Sequence, residues 1–153
     1  MTGLEYLEAA IAGKRPRGPL EELLSMRILA ARHGEVRFEG VSDARYTNSA
    51  GVVHGGWIAS LLDSAAALAA YSTLPAGKTS ITVDLHMHCL RPIMPDAGRL
   101  ICEGRVINTG RTLILTQSQV LDAAGRLLAH ATSTCMVLDR KLRELPAAGV
   151  AHG

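Results

Sequence analysis

Gly55-Gly-Trp-Ile-Ala-Ser-Leu-Leu-Asp-Ser-Ala-Ala-Ala-Leu-Ala-Ala-Tyr-Ser72 is the stretch that decides the fold. It is built from strong helix formers and is apolar almost all the way round. A helix of that kind cannot lie on a surface with one side in water; it belongs inside a core, with other elements around it. Leu74-Pro-Ala-Gly77 follows at once, and proline and glycine end the helical pattern there.

Everything after Gly77 reads as strand. Residues 79–89 alternate, with Ile81, Val83, Leu85 and Met87 on one face and Thr82, Asp84, His86 and His88 on the other. Residues 91–98, with Pro92 and Pro95, form a connection. Strands follow at 99–108, 112–122 and 126–138, punctuated by Thr109-Gly-Arg111 and by Asp122-Ala-Ala-Gly125. Ahead of the helix, residues 25–33 and 35–41 read as a hairpin turning at Gly34, and residues 42–53 as a loop rich in small polar residues. Leu4, Leu7, Ala10 and Ile11 give a short amphipathic helix over 2–12; 13–19 is a linker and 20–24 one helical turn.

The layout is two strands, one long helix, then strands to the end. It predicts an α+β fold in which an antiparallel sheet of about six strands wraps around one buried helix. One sheet cannot cover every side of that helix, so a second copy of the chain is expected on the open side. The domain plan is an N-terminal helix and linker over 1–19, the main domain over 20–138, and a frayed tail over 139–153.

Composition narrows the function. Sixteen basic and 14 acidic residues give a net charge of +2, with no basic block of the kind that tracks a nucleic-acid backbone. The mild positive balance suits a small polyanionic ligand. Three cysteines, none in C-x-x-C spacing, argue against a disulfide framework or a Cys-rich zinc site and suit a reducing cytoplasm. No signal-peptide pattern and no membrane span are visible. No cofactor is implied.

Asp63 is the anomaly. Its helical neighbours are Ala59, Ser60, Ala66 and Ala67, so no cation on the helix pairs with it. Burying an unpaired carboxylate costs several kcal/mol, roughly, unless something compensates. An exposed stripe or a subunit interface is one explanation. The residues before the helix point to another. His54-Gly55-Gly56 puts two glycines at the helix start, where backbone N–H groups lack intrahelical acceptors and the dipole favours negative charge. That is the equipment of an oxyanion hole, in which one donor contributes roughly 3 kcal/mol. Asp63 lies about 12 Å further along by helical rise. A two-fold partner could bring its own Asp63 to these glycines. No serine stands in a G-x-S-x-G setting, which disfavours a Ser-His-Asp hydrolase.

The pattern Asn48-x-x-Gly51-x-x-His54-Gly55-Gly56, continued by Leu61-x-Asp63, resembles the PaaI-like hotdog thioesterases. The likeness continues through Val83–Pro92, Gly110-Arg111-Thr112 and Asp122–Ala131. It implies a homodimer or dimer of dimers that hydrolyses acyl-CoA. In that resemblance Asp63 is general base or nucleophile, and the Gly55 amide polarises the thioester carbonyl beside Gly56. Asn48 helps hold the carbonyl oxygen, His54 orders the glycine turn, and Thr82, with Ser80 as fallback, positions water. Arg91 and Arg111 match basic residues that meet the CoA phosphates. Two other readings compete. One is a non-catalytic acyl-CoA-binding protein, which would not need Asp63. The other is a metal-dependent hydrolase using the row Asp84, His86 and His88. A hydratase on the same fold would need motifs that are not present.

Overall fold

The computed structural model describes residues 1–140; of the tail expected over 139–153, only Asp139 and Arg140 are among them. The elements are α1 (Gly3–Ile11), α2 (Pro19–Leu23), β1 (Met26–Arg32), β2 (Glu35–Val41), α3 (Gly55–Tyr71), β3 (Lys78–Cys89), β4 (Arg99–Thr109), β5 (Leu113–Leu121) and β6 (Leu127–Asp139). A 3-10 turn at Ala44–Tyr46 lies in the loop before α3. The strands form one antiparallel sheet in the order β1-β2-β4-β5-β6-β3. No helix among the described residues is long and apolar enough to cross a membrane.

Helix α3 lies across one face of this sheet and touches β2, β3, β4, β5 and β6. Trp57, Ile58, Leu61, Leu62, Ala65, Ala66, Ala69 and Ala70 are buried against it. Ala59, Ser60, Asp63, Ser64 and Ala67 are only half-buried, and they form the side a single chain leaves open. The approach is close because the contact residues are small. A Cβ on Gly104 of β4 would stand 2.0 Å from the Ala65 carbonyl oxygen, and one on Gly40 of β2 would stand 2.6 Å from Leu61 Cδ2.

Helix α1 is not a detached appendage. Thr2 and Glu5 form a capping box at its start, Gly3 N–H donates to the Leu74 carbonyl at 3.0 Å, and Leu7 is fully buried in the same core as Phe38 and Leu61. Gly3 abuts the Tyr71 carbonyl so tightly that no Cβ would fit, and Tyr6 meets Tyr71 edge to face at 5.7 Å.

The regular alternation read along 79–89 does not hold. The register between β3 and β6 steps from Thr82 opposite Cys135 to Asp84 opposite Thr134, so Val83 is a bulged extra residue. Past the bulge the faces exchange. Thr82, Leu85 and Met87 face α3, whereas Ile81 and Val83 are 49% and 46% exposed. Asp84, His86 and His88 lie on the outer face with Thr134, Thr132 and His130.

Gly104→Ala puts a methyl where the Ala65 carbonyl now sits. The substitution is expected to lower stability by about 2–3 kcal/mol, read as a fall of several degrees in thermal melting. A melt within about 1 °C of wild type would show that the helix-to-sheet contact is looser than described.

Candidate active site

The loop before α3 is built to deliver the helix start. Asp43 Oδ1 accepts from Arg45 N–H at 2.8 Å and caps the 3-10 turn. Thr47 and Val53 form an isolated bridge that closes a small hairpin, with Gly51 at φ +80° in a conformation that favours glycine. Asn48 sits in that hairpin; its Oδ1 accepts from Ala50 N–H at 2.9 Å, which leaves the side-chain NH2 for other partners. His54 N–H then donates to the Tyr46 carbonyl at 2.7 Å, and the chain enters α3.

His54 is the N-cap. Its Nδ1 accepts from Gly56 N–H at 2.8 Å, so the ring carries its proton on Nε2. Trp57 and Ile58 N–H both turn to the His54 carbonyl, at 3.0 and 3.3 Å. The two glycines therefore differ. The Gly56 amide is taken by the cap, and a Cβ there would press on the His54 ring at 2.9 Å. The Gly55 amide has no acceptor among the described residues, and a Cβ there would meet open space. Nothing among the described residues requires glycine at 55.

Two turns on, Asp63 projects from the open side of α3. Thr82 Oγ1 donates to Asp63 Oδ1 at 2.8 Å, and Oδ2 has no hydrogen-bond partner among the described residues. Ser80 and Thr82 share a face ahead of the Val83 bulge, and of the two it is Thr82 that bonds the carboxylate. Gly55 and Asp63 of one chain remain about 12 Å apart by helical rise, too far to serve one acyl carbon. β3 is an edge strand, and its outer side has no strand beside it among the described residues.

Other candidates fall elsewhere. Arg91 and Arg111 are exposed, but Arg91 follows the end of β3 while Arg111 stands near the level of its start, in the β4–β5 turn. About ten residues of strand, roughly 30 Å, separate their levels. The row Asp84, His86 and His88 faces away from Asp63. Asp84 Oδ1 accepts from Thr134 N–H at 2.8 Å, and His88 stacks on His130 with centroids 5.1 Å apart. No group of three His, Cys, Asp or Glu among the described residues is arranged to hold a metal ion.

A cleft of about 310 Å³ opens beside the helix start, lined by Leu24, Arg45, Tyr46, His54, Gly56 and Trp57 among others. Tyr46 and Trp57 stack at 5.3 Å, and both polar tips are held by the N-terminal segment: Tyr46 OH donates to the Leu23 carbonyl and Trp57 Nε1–H to the Leu24 carbonyl, each at 3.0 Å. Sequence reading missed Tyr46 and Arg45, which stand in a stretch that looks like plain loop. A larger groove, about 960 Å³, lies on the other side of the sheet and is lined by Arg37, Glu103, Arg105 and His130 among others. It contains none of the site residues, so its size does not make it the reaction site.

The chain matches the Thioesterase superfamily over residues 50–129. It is 27% identical to acyl-coenzyme A thioesterase 13 of Homo sapiens over 108 residues, which is 70% of this chain and 76% of that protein. The structure of smu.793 from Streptococcus mutans, solved bound to acetyl CoA, superposes with a TM-score of 0.68 at 25% identity, covering 76% of this chain and 90% of that one. The PaaI protein of E. coli shares the fold, with a TM-score of 0.77 at 19% identity over 89% of this chain and 94% of its own. The matched span takes in Gly55, Asp63 and Thr82, and by that match, on this hotdog fold, the chain belongs to the thioesterase superfamily.

Proposed function

We propose that this protein hydrolyses an acyl-CoA thioester to the free acid and CoA. The observation that carries the reading is the pairing of one open amide with one half-satisfied carboxylate. Gly55 N–H is an orphan donor at a helix start, and Asp63 keeps Oδ2 free while Thr82 holds Oδ1. Asp63 Oδ2 takes a proton from water as the oxygen attacks the thioester carbon. Negative charge develops on the carbonyl oxygen, where Gly55 N–H and the helix dipole stabilise it. Collapse of the tetrahedral intermediate breaks the C–S bond and releases the CoA thiolate. The same carboxylate could instead attack directly, so base and nucleophile are both consistent with its position.

The 12 Å gap within one chain is bridged if two copies pair along the free edge of β3. Asp63 of one chain then faces Gly55 of its partner across a two-fold axis. Asn48 supplies its free amide NH2 to the carbonyl oxygen. Arg91 and Arg111, at opposite ends of the sheet, would reach one CoA only as contributions from different chains.

Thiol release from short, long and aryl acyl-CoAs tests the reading. Asp63→Asn keeps the shape and removes the base, and should lower kcat/KM at least about a hundredfold. Equal activity would remove Asp63 from the mechanism. No thiol release by the wild type would favour a protein that binds acyl-CoA without cutting it.

Gly55→Pro deletes the open amide at the first helical position, where proline is tolerated, and His54 already has the extended backbone that precedes a proline. The melt should be preserved while kcat falls about 10²–10³-fold. An active Gly55→Pro enzyme would exclude this amide as the oxyanion donor.

Refolding Asp63→Asn together with Gly55→Pro tests the shared site. Mixed dimers rebuild one intact site, so random pairing should recover about a quarter of wild-type activity. No recovery would place both groups in one chain's site.

A further inference from the structure

The cleft of about 310 Å³ joins His54 and Gly56, which flank the open Gly55 amide in the chain, to Leu24, Tyr46 and Trp57. Its polar side chains are committed within the protein. Tyr46 OH donates to the Leu23 carbonyl at 3.0 Å, and so accepts from Ser25 Oγ at 2.7 Å. Trp57 Nε1–H donates to the Leu24 carbonyl at 3.0 Å. Thr47 Oγ1 donates to the Ala44 carbonyl at 2.7 Å, and Ser60 Oγ to the Gly56 carbonyl at 2.9 Å. Arg45 is exposed, and its Nε donates to Asp43 Oδ1 at 3.0 Å. What Leu24, Tyr46 and Trp57 have left to offer a ligand is hydrocarbon and ring surface. A hydroxyl carried onto that wall would lose water and meet no free side-chain donor. The pantetheine arm of CoA, with its two amides, fits such a wall less well than an alkyl chain does.

We propose that this cleft is the acyl subsite and that it selects an unsubstituted hydrocarbon acyl group of medium length. With the thioester carbonyl at the Gly55 amide, the first acyl carbons lie at His54 and Gly56, and the chain continues onto the Trp57 and Tyr46 rings. The volume holds on the order of ten groups the size of a water or a methylene, which suits chains of roughly six to ten carbons. The N-terminal segment gives the site its apolar character. Its Leu23 and Leu24 carbonyls occupy both aromatic polar tips, and Leu24 itself forms part of the wall. The chain that supplies the amide thus also supplies the acyl subsite, while its partner supplies the carboxylate.

The inference rests on the reading of Gly55 as the amide that meets the acyl carbonyl, so binding and turnover are measured separately. Trp57 is the single tryptophan of the chain, and its fluorescence reports the cleft without any reaction. S-octyl-CoA, a thioether that cannot be hydrolysed, should shift this emission to the blue. It should bind at least about tenfold more tightly than CoA alone, since each buried methylene adds about fourfold. CoA alone should leave the emission in place; an equal shift with CoA alone would put the pantetheine arm in the cleft and overturn the proposal. In turnover, Ser60→Leu fills the cleft from α3, and Leu24→Ala enlarges it from the N-terminal side. Ratios of kcat/KM between two substrates in one sample do not depend on the fraction folded. The octanoyl-to-butanoyl ratio should fall at least about tenfold in Ser60→Leu, and the dodecanoyl-to-octanoyl ratio should rise about threefold or more in Leu24→Ala. Wild type should cleave 3-hydroxyoctanoyl-CoA at least about tenfold less well than octanoyl-CoA. Ratios within about twofold of wild type in both variants, or equal use of the hydroxylated chain, would overturn the proposal. A wild type that cleaves no thioester, while Trp57 still distinguishes S-octyl-CoA from CoA, would refute the hydrolase reading and leave the acyl subsite standing. Chain-length selection in turnover with a silent Trp57 would place the acyl group elsewhere and overturn the subsite alone. Neither response nor turnover would refute both.

Discussion

The contact between Ala65 and Gly104 sets the distance on which the site depends. Four alanines of α3, at 65, 66, 69 and 70, are fully buried, and the sheet meets them with Gly104 and, one turn earlier, Gly40 against Leu61. Backbone therefore packs nearly on backbone, which side chains of ordinary size would not allow. The 2.8 Å bond from Thr82 to Asp63 joins strand to helix and tolerates little further separation. Small residues in the core and a short polar bond at its edge are two consequences of one close approach.

The helix start divides its tasks between neighbouring glycines. Four amides at a helix N-terminus ordinarily lack partners. Here the His54 amide itself goes to the Tyr46 carbonyl, and His54 satisfies two more, through its ring for Gly56 and through its carbonyl for Trp57. The remaining amide, that of Gly55, keeps its donor capacity and the positive end of the dipole. A histidine cap thus concentrates the helix's electrostatic potential on a single N–H, which a serine or aspartate cap could also do, but without extending a ring over the glycine turn.

Much of this was legible in the sequence. The long helix was expected to 72 and ends at Tyr71; β2 was expected over 35–41 and occupies those residues; the other strands lie within a residue or two of their expected limits. Proline, glycine and strict periodicity mark those limits in the chain itself. The sheet and its buried helix follow from the same pattern. What escaped was pairing. The Val83 bulge changes which face each residue takes, yet one extra residue leaves no compositional trace, so Ile81 and Val83, read as sharing a face with Leu85 and Met87, stand half exposed away from them. Thr82 was reached through resemblance rather than alternation, because plain alternation places it with Asp84. Only the resemblance singled out Gly55 from Gly56 in the sequence; the direction of the His54 ring supplies the physical difference between them.

The first 24 residues grip α3 at both ends. Gly3 and Tyr6 close on its C-terminal turn through Leu74 and Tyr71, while the carbonyls of Leu23 and Leu24 hold Tyr46 and Trp57 beside its start. These partners all lie later in the chain. During synthesis, the N-terminal segment leaves the ribosome well before residue 74 exists, and its capping box is the main local structure it can form alone. Residues 3–24 must therefore wait, partly unfolded, for α3 to be made, and they settle as a clasp once that helix has docked on its sheet.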